Sequence, residues 1–224
     1  MVICPFRNPE TTTGLRCCAR PEADTRTAMS EVLEVALRYA DADLSVIPIR
    51  ADGSKSPASR FLPKGEDGKS TWRSFQQANA TPDQLRTMFG GNGVGIAIIC
   101  GWVSGNLDDI GAYRRWYALM QAQGHKELLD RLVKVGTPRP GVAVLYRVSR
   151  STSIEGNQKL AESTKGDVLI ETRDEGGYFI APGSPLECHP KRRTYEVKRG
   201  GICDPPHGAY RPDAGARREA VRDV

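Results

Sequence analysis

No apolar run in the chain approaches the roughly 18–20 residues that a membrane span requires. Its first residues, MVICPFRNPETTTGLRCC, lack the layout of a secretory signal. A cytoplasmic protein without a membrane partner is the expectation. The six cysteines include no CxxC pair, so the commonest zinc spacing is missing. The one remaining grouping with ligand chemistry is Cys188-His189 with Cys203 and His207. Irregularly spaced cysteines fit a compartment that keeps them reduced. No internal repeat is present, which excludes a solenoid or propeller. A strong charge bias is also missing. The net charge of +5 and the pI of about 8.9 fall just short of the value, roughly 9, that flags a nucleic-acid binder. The positive charge is nevertheless uneven, gathered in HPKRRTYEVKRG (189–200), Arg114-Arg115 and the final RREAVR. A polyanionic partner and a solvated basic face account for it equally well.

What is present is enough for one ordinary domain with loose ends at 224 residues. Residues 1–26 mix Pro, Thr, Arg and Cys without any period and read as a disordered leader. Residues 201–224, rich in Pro, Gly, Ala and Arg, read as a linker or disordered tail. The ordered domain is expected over 27–200. Leu33, Ala36, Leu37, Ala40 and Leu44 follow helical spacing, which predicts an amphipathic helix up to about Asp41. A strand over 44–49 follows, and Pro48 assigns it to an edge or a bulge. Residues 51–55 make a turn, 56–70 a polar loop, and Trp72 and Phe75 an anchor onto the core. Thr81-Pro82-Asp83-Gln84 has the layout of a capping box with Pro at the first helical position, and the helix it opens ends at Phe89. Val94–Cys100 is apolar on both faces and reads as a central strand. Asp108 or Asp109 caps the next helix, whose apolar stripe is Tyr113, Trp116, Tyr117 and Met120. A short helix is expected from His125 to about Leu132, strands over 133–135 and 142–148, a helical turn over 157–162 and a last strand over 194–198. The order of elements implies an α+β arrangement with a mixed sheet.

The stretch VLIETRDEGGYFIAPGS (168–184) carries the most chemistry. Its two β-rich runs, divided by Gly176-Gly177, read as adjacent strands with a tight or bulged connection. Alternation along the first run puts Glu171 and Arg173 on one face. A carboxylate and a guanidinium side by side can serve a metal and a phosphate. They can equally form an ion pair on the wet face of a half-buried sheet.

Four strings together resemble the primase–polymerase domain of the archaeo-eukaryotic primase superfamily, in its bifunctional phage, plasmid and bacterial form. They are ALRYADADLSVIPIRADGSKSPA (36–58), VGIAIICGWVSGNL (94–107), VKVGTPRPGVAVLYRV (133–148) and VLIETRDEGGYFIAPGSP (168–185). The resemblance implies an N-terminal α/β module packed on a unit like an RNA-recognition motif, with the active site between them. It implies template-directed nucleotidyl transfer with Mg2+ or Mn2+, on single-stranded DNA and nucleoside triphosphates. A helicase, as a fused domain or a separate protein, often accompanies such a domain. Carboxylates would hold the metals, and basic side chains with a histidine would hold the nucleotide.

Carried over by position, the third motif's acid is Glu171, with Arg173 beside it. The first motif, two acids one residue apart on a strand after Gly-Asn-Leu, is shortened: Leu107 runs directly into Asp108-Asp109. On a strand these two would face opposite ways; in a turn they could share a metal. The resemblance therefore implies Asp108, Asp109 and Glu171 as metal-binding and catalytic. Lys55, in the Gly-x-Lys-x-Pro turn, joins Arg147 and Arg173 against triphosphate or template. Ala143 stands where the second motif has its histidine. The nearest cation on that face, Arg147, would be about 13 Å away along the strand. An inactive relic that binds single-stranded nucleic acid through 189–199 is the alternative from another class.

Overall fold

The computed structural model describes residues 25–91, 93–100, 106–107, 109–146, 157–173 and 176–203. Two antiparallel sheets and five helices make up an α+β fold among these residues. Most of the expected leader and tail, together with Asp108 and Arg147, lies outside them.

Helix α1 (Thr25–Asp41) leads into β1 (Val46–Arg50), which pairs antiparallel with β2 (Val94–Ile99). Between them lie α2 (Arg73–Gln77) and α3 (Pro82–Phe89). The capping box forms as its residues dictate: the Gln84 N–H donates to Thr81 Oγ1 at 3.3 Å, and the Thr81 N–H donates to Gln84 Oε1 at 2.8 Å. β2 is buried along its whole length and is the middle strand of a three-stranded sheet, between β1 and β8 (Tyr178–Ile180). β1 is an edge strand, where Pro48 has no ladder donor to lose.

The second sheet has six strands in the order β6-β7-β3-β5-β4-β9. β3 (Asn106–Leu107) precedes α4 (Ile110–Ala122) and α5 (Lys126–Arg131), and β4 (Val133–Thr137) and β5 (Gly141–Leu145) form a hairpin. β6 (Gln158–Glu162), β7 (Val168–Thr172) and β9 (Glu196–Arg199) complete it. The expected mixed sheet is corrected here, since every pairing between described strands is antiparallel. β3 and β4 do run the same way, but β5 is inserted between them.

Two further expectations change. Residues 158–162, expected as a helical turn, form β6, because pairing with β7 overrides a helix-favouring composition. The runs on either side of Gly176-Gly177 are not neighbours. β7 pairs with β3 and β6, whereas β8 (Tyr178–Ile180) leaves that sheet and pairs with β2. The Cys100 N–H donates to Gly177 O at 2.9 Å, so the glycine pair already belongs to the first sheet. The last strand is displaced to 196–199.

Alternation on β4 and β5 divides the core. Val133, Val135, Ala143 and Leu145 pack toward β1, β2, β8 and the first three helices. Val142, Val144 and Ile170 face Ala112, Leu129 and Leu132 on the side of α4 and α5. The aromatic stripe of α4 packs there too, with the Lys134 ammonium 4.4 Å from the Tyr117 ring centre. The C-terminal segment crosses close above β2. Ser184 Oγ accepts from the Ile96 N–H and donates to Ile96 O, both at 2.9 Å. A Cβ on Gly95 would run into Cys188 Sγ and the Ser184 side chain, so any larger residue under this crossing would force them to shift.

Candidate active site

The register of the six-stranded sheet places two of the motif positions, Ala143 and Glu171, in one row with Asn106, which stands two residues before the aspartate pair. Asn106 on β3 is opposite Ala143 on β5 and, on its other side, opposite Glu171 on β7. Directly opposed residues share a face, so the second-motif and third-motif positions flank the strand that ends at the first motif. With strands about 4.8 Å apart, Ala143 and Glu171 are separated by roughly 10 Å across β3. The row continues through Val135 on one side and Lys159 on the other. Val135 and Ala143 belong to the core shared with the first sheet, so this face is turned toward that sheet.

Glu171 is held by its neighbour two residues on. Arg173 Nε and Nη2 both donate to Glu171 Oε1, at 2.9 and 2.6 Å. The carboxylate side chain is only 16% exposed, and Oε2 has no hydrogen-bond partner among the described residues. A half-buried carboxylate oxygen without a partner is a hard donor suited to Mg2+ or Mn2+. Arg173 also reaches Tyr178 O at 3.5 Å, and the Tyr178 hydroxyl donates to Lys55 O at 3.1 Å. Lys55 is thereby tied to the Glu171–Arg173 pair across the two sheets. Its own backbone is left-handed, φ 60°, a conformation a non-glycine residue keeps only when its surroundings hold it. Trp72, expected in the core, is half-buried; its Nε1–H donates to Gly176 O at 3.4 Å and its ring meets Tyr178 edge-on at 5.7 Å.

Asp109 is the N-cap of α4, where its Oδ1 accepts from the Ala112 N–H at 2.7 Å. The capping reading of this aspartate is therefore realised. No group of three or more His, Cys, Asp or Glu side chains gathers at a metal-binding distance among the described residues. Ala143 is 2% exposed between Val135 and Asn106.

One polar residue near this face was grouped differently at the level of sequence. His189 is 3% exposed and accepts the Lys191 N–H on Nδ1 at 3.1 Å, with Tyr195 edge-on at 6.0 Å. Burial, aided by the positive charges of Lys55, Arg139 and Lys191, lowers its pKa from 6.5 to about 4. Its neighbour Cys188 is pushed up to about 12, chiefly by burial, and so stays a thiol. The only sequence signal for His189 was a lone imidazole leading a run of cations. Beside it, the β4–β5 turn and the 186–198 segment border an open groove of about 440 Å³, lined among others by Thr137, Pro138, Leu186, Arg193 and Lys198.

No helix among the described residues is long and apolar enough to cross a membrane. No curated protein matches the chain. The family model of the bifunctional DNA primase/polymerase N-terminal domain matches residues 36–213, a span that includes all four strings and the row of opposed motif positions. The chain belongs to the bifunctional DNA primase/polymerase N-terminal family.

Proposed function

We propose that this domain performs template-directed nucleotidyl transfer in the replication of phage, plasmid or bacterial DNA, in the cytoplasm. The single-stranded template and the nucleoside triphosphate lie at the Glu171 end of the row, since Ala143 at its other end is buried in the core. The observation that carries this reading is the register itself, which brings the sequence-distant Ala143 and Glu171 onto one face, where Glu171 keeps a carboxylate oxygen with no hydrogen-bond partner among the described residues. Glu171, with Asp109 and Asp108, would hold Mg2+ or Mn2+. That metal would activate a 3′-hydroxyl and neutralise the triphosphate. Arg173 orients the Glu171 carboxylate and presents a cation beside it, and Lys55 adds a second from the opposing turn. Arg147 is the further cation assigned to triphosphate or template. A helicase, fused or separate, would supply the unwound template.

Primer extension on single-stranded DNA with magnesium, then manganese, tests the assignment. Incorporation should fall to background in Glu171→Ala; incorporation equal to the parent in that variant sinks it.

A second reading has its own support. Leu107 runs directly into Asp108-Asp109 in the sequence, which shortens the first motif, and Ala143 supplies no phosphate donor, so a relic that binds single strands without joining nucleotides fits both features. The groove beside Arg193 and Lys198 gives such a relic a place to hold a strand. Salt-sensitive binding with no incorporation at any metal concentration is its signature.

A further inference from the structure

We propose that His189 heads a phosphate-binding subsite between the 52–55 turn and the β4–β5 turn, with Lys55, Arg139 and Lys191 as its cations. The proposal rests on the reading that this chain handles nucleotides or nucleic acid. It adds a donor that none of the motif positions supplies.

The tautomer follows from the hydrogen bond. Nδ1 accepts the Lys191 N–H, so in the neutral ring the proton sits on Nε2. That N–H has no hydrogen-bond partner among the described residues, although the residue is 3% exposed. A buried donor left unpaired is costly, and such groups are ordinarily completed by water or a ligand. The surroundings favour an anion. The 52–55 turn presses against the histidine's own segment, where a Cβ on Gly53 would lie 3.3 Å from Pro190 Cα. Gly53 and Lys55 both have positive φ, so the turn that carries Lys55 is shaped to this contact. Arg139 arrives from the hairpin and Lys191 from the histidine's own segment. Neither side chain forms an ion pair with a carboxylate among the described residues. Burial holds the imidazole neutral, the charges of Lys55, Arg139 and Lys191 add to that effect, and a neutral Nε2–H can donate to the oxygens of an oligophosphate that those charges attract.

The phosphate can belong to a nucleoside triphosphate or to the backbone of a strand. Both sources present the same oxygens, and two probes separate them. Binding of dATP with tripolyphosphate as its base-free control, and of a twenty-residue oligothymidine, is measured on the whole chain. His189→Asn keeps an acceptor for the Lys191 N–H but removes the Nε2 donor. An unchanged melting temperature establishes that it is folded. The expected result is a 10- to 100-fold loss of affinity for at least one probe. Loss for dATP and tripolyphosphate assigns the subsite to the triphosphate, and loss for the oligonucleotide alone assigns it to the strand. Equal affinity of parent and variant for both overturns the proposal. The imidazole 15N resonances of the parent give a second check that needs no variant. Nε2 should remain protonated and shift on saturation with the probe that binds; an unmoved resonance overturns the proposal too. Neither readout requires incorporation, so an inactive catalytic row would leave both results interpretable.

Discussion

His189 should make the stability of this domain sensitive to mild acid. Its folded-state pKa lies near 4 and its unfolded value near 6.5. The unfolded chain therefore takes up a proton that the folded protein refuses, and the stability present above pH 6.5 is lost as pH falls toward 4. The whole difference corresponds to about 3 kcal/mol, of which about 2 kcal/mol is gone by pH 5. The groups around the ring all act in one direction: Lys55 from the 52–55 turn, Arg139 from the β4–β5 turn and Lys191 from its own segment. Tyr195 adds an uncharged edge contact at 6.0 Å. Urea denaturation at pH 7.5, 6.0, 5.0 and 4.2 measures the effect, with His189→Asn alongside. Protonation of the carboxylates weakens both proteins alike, so the difference between them isolates the imidazole. The parent should lose about 2 kcal/mol more than the variant between pH 7.5 and 5.0. Parallel curves across that window would refute the reasoning, since a histidine that titrates normally when folded has no such linkage.

Other substitutions probe other parts of the argument. Gly95→Ala places a methyl group against Cys188 Sγ and Ser184 and should cost about 1–3 kcal/mol; adding Cys188→Ala should restore part of that, and a strictly additive double variant counts against the crossing as the cause. Thr81→Ala removes one half of the capping box and should lower stability by about 1 kcal/mol, seen as a fall of roughly 2–4 °C in melting temperature. Ala143→His introduces a donor beside Asn106 in the motif row; if the row is the catalytic face, metal-dependent incorporation should rise about 10- to 150-fold. A folded Ala143→His protein with unchanged incorporation would remove position 143 from that face.

Features that depend on a few consecutive residues were legible in the sequence. The capping box at Thr81 and Gln84, the Asp109 N-cap, the aromatic stripe of α4 and the buried β2 each follow from local patterning. So does the shared face of Glu171 and Arg173, because strand alternation alone requires it. The misreadings arose where a segment's partner decides its state. The residues of β6 suit a helix, and only the β7 ladder makes them a strand. Gly176-Gly177 has the composition of a hairpin turn, yet the chain uses it to pass from one sheet to the other. His189 was read with the nearby cysteines because they stand beside it in the chain. The fold instead gives it a turn more than 130 residues earlier, and Cys188 is turned away onto Gly95.

The site itself lies on the less legible side of this division. Ala143, Asn106 and Glu171 are far apart in sequence, and their opposition depends on a register that two residues of β3 set on both flanks. A slip of one residue in β7 would turn Glu171 to the α4 side and bring Ile170 into the row. The apolar packing of Ile170 against Val142 and Val144 opposes that slip. Ile170 thus holds the Glu171 carboxylate in the row with Asn106 and Ala143, and the core beneath α4 fixes the face on the far side of the sheet.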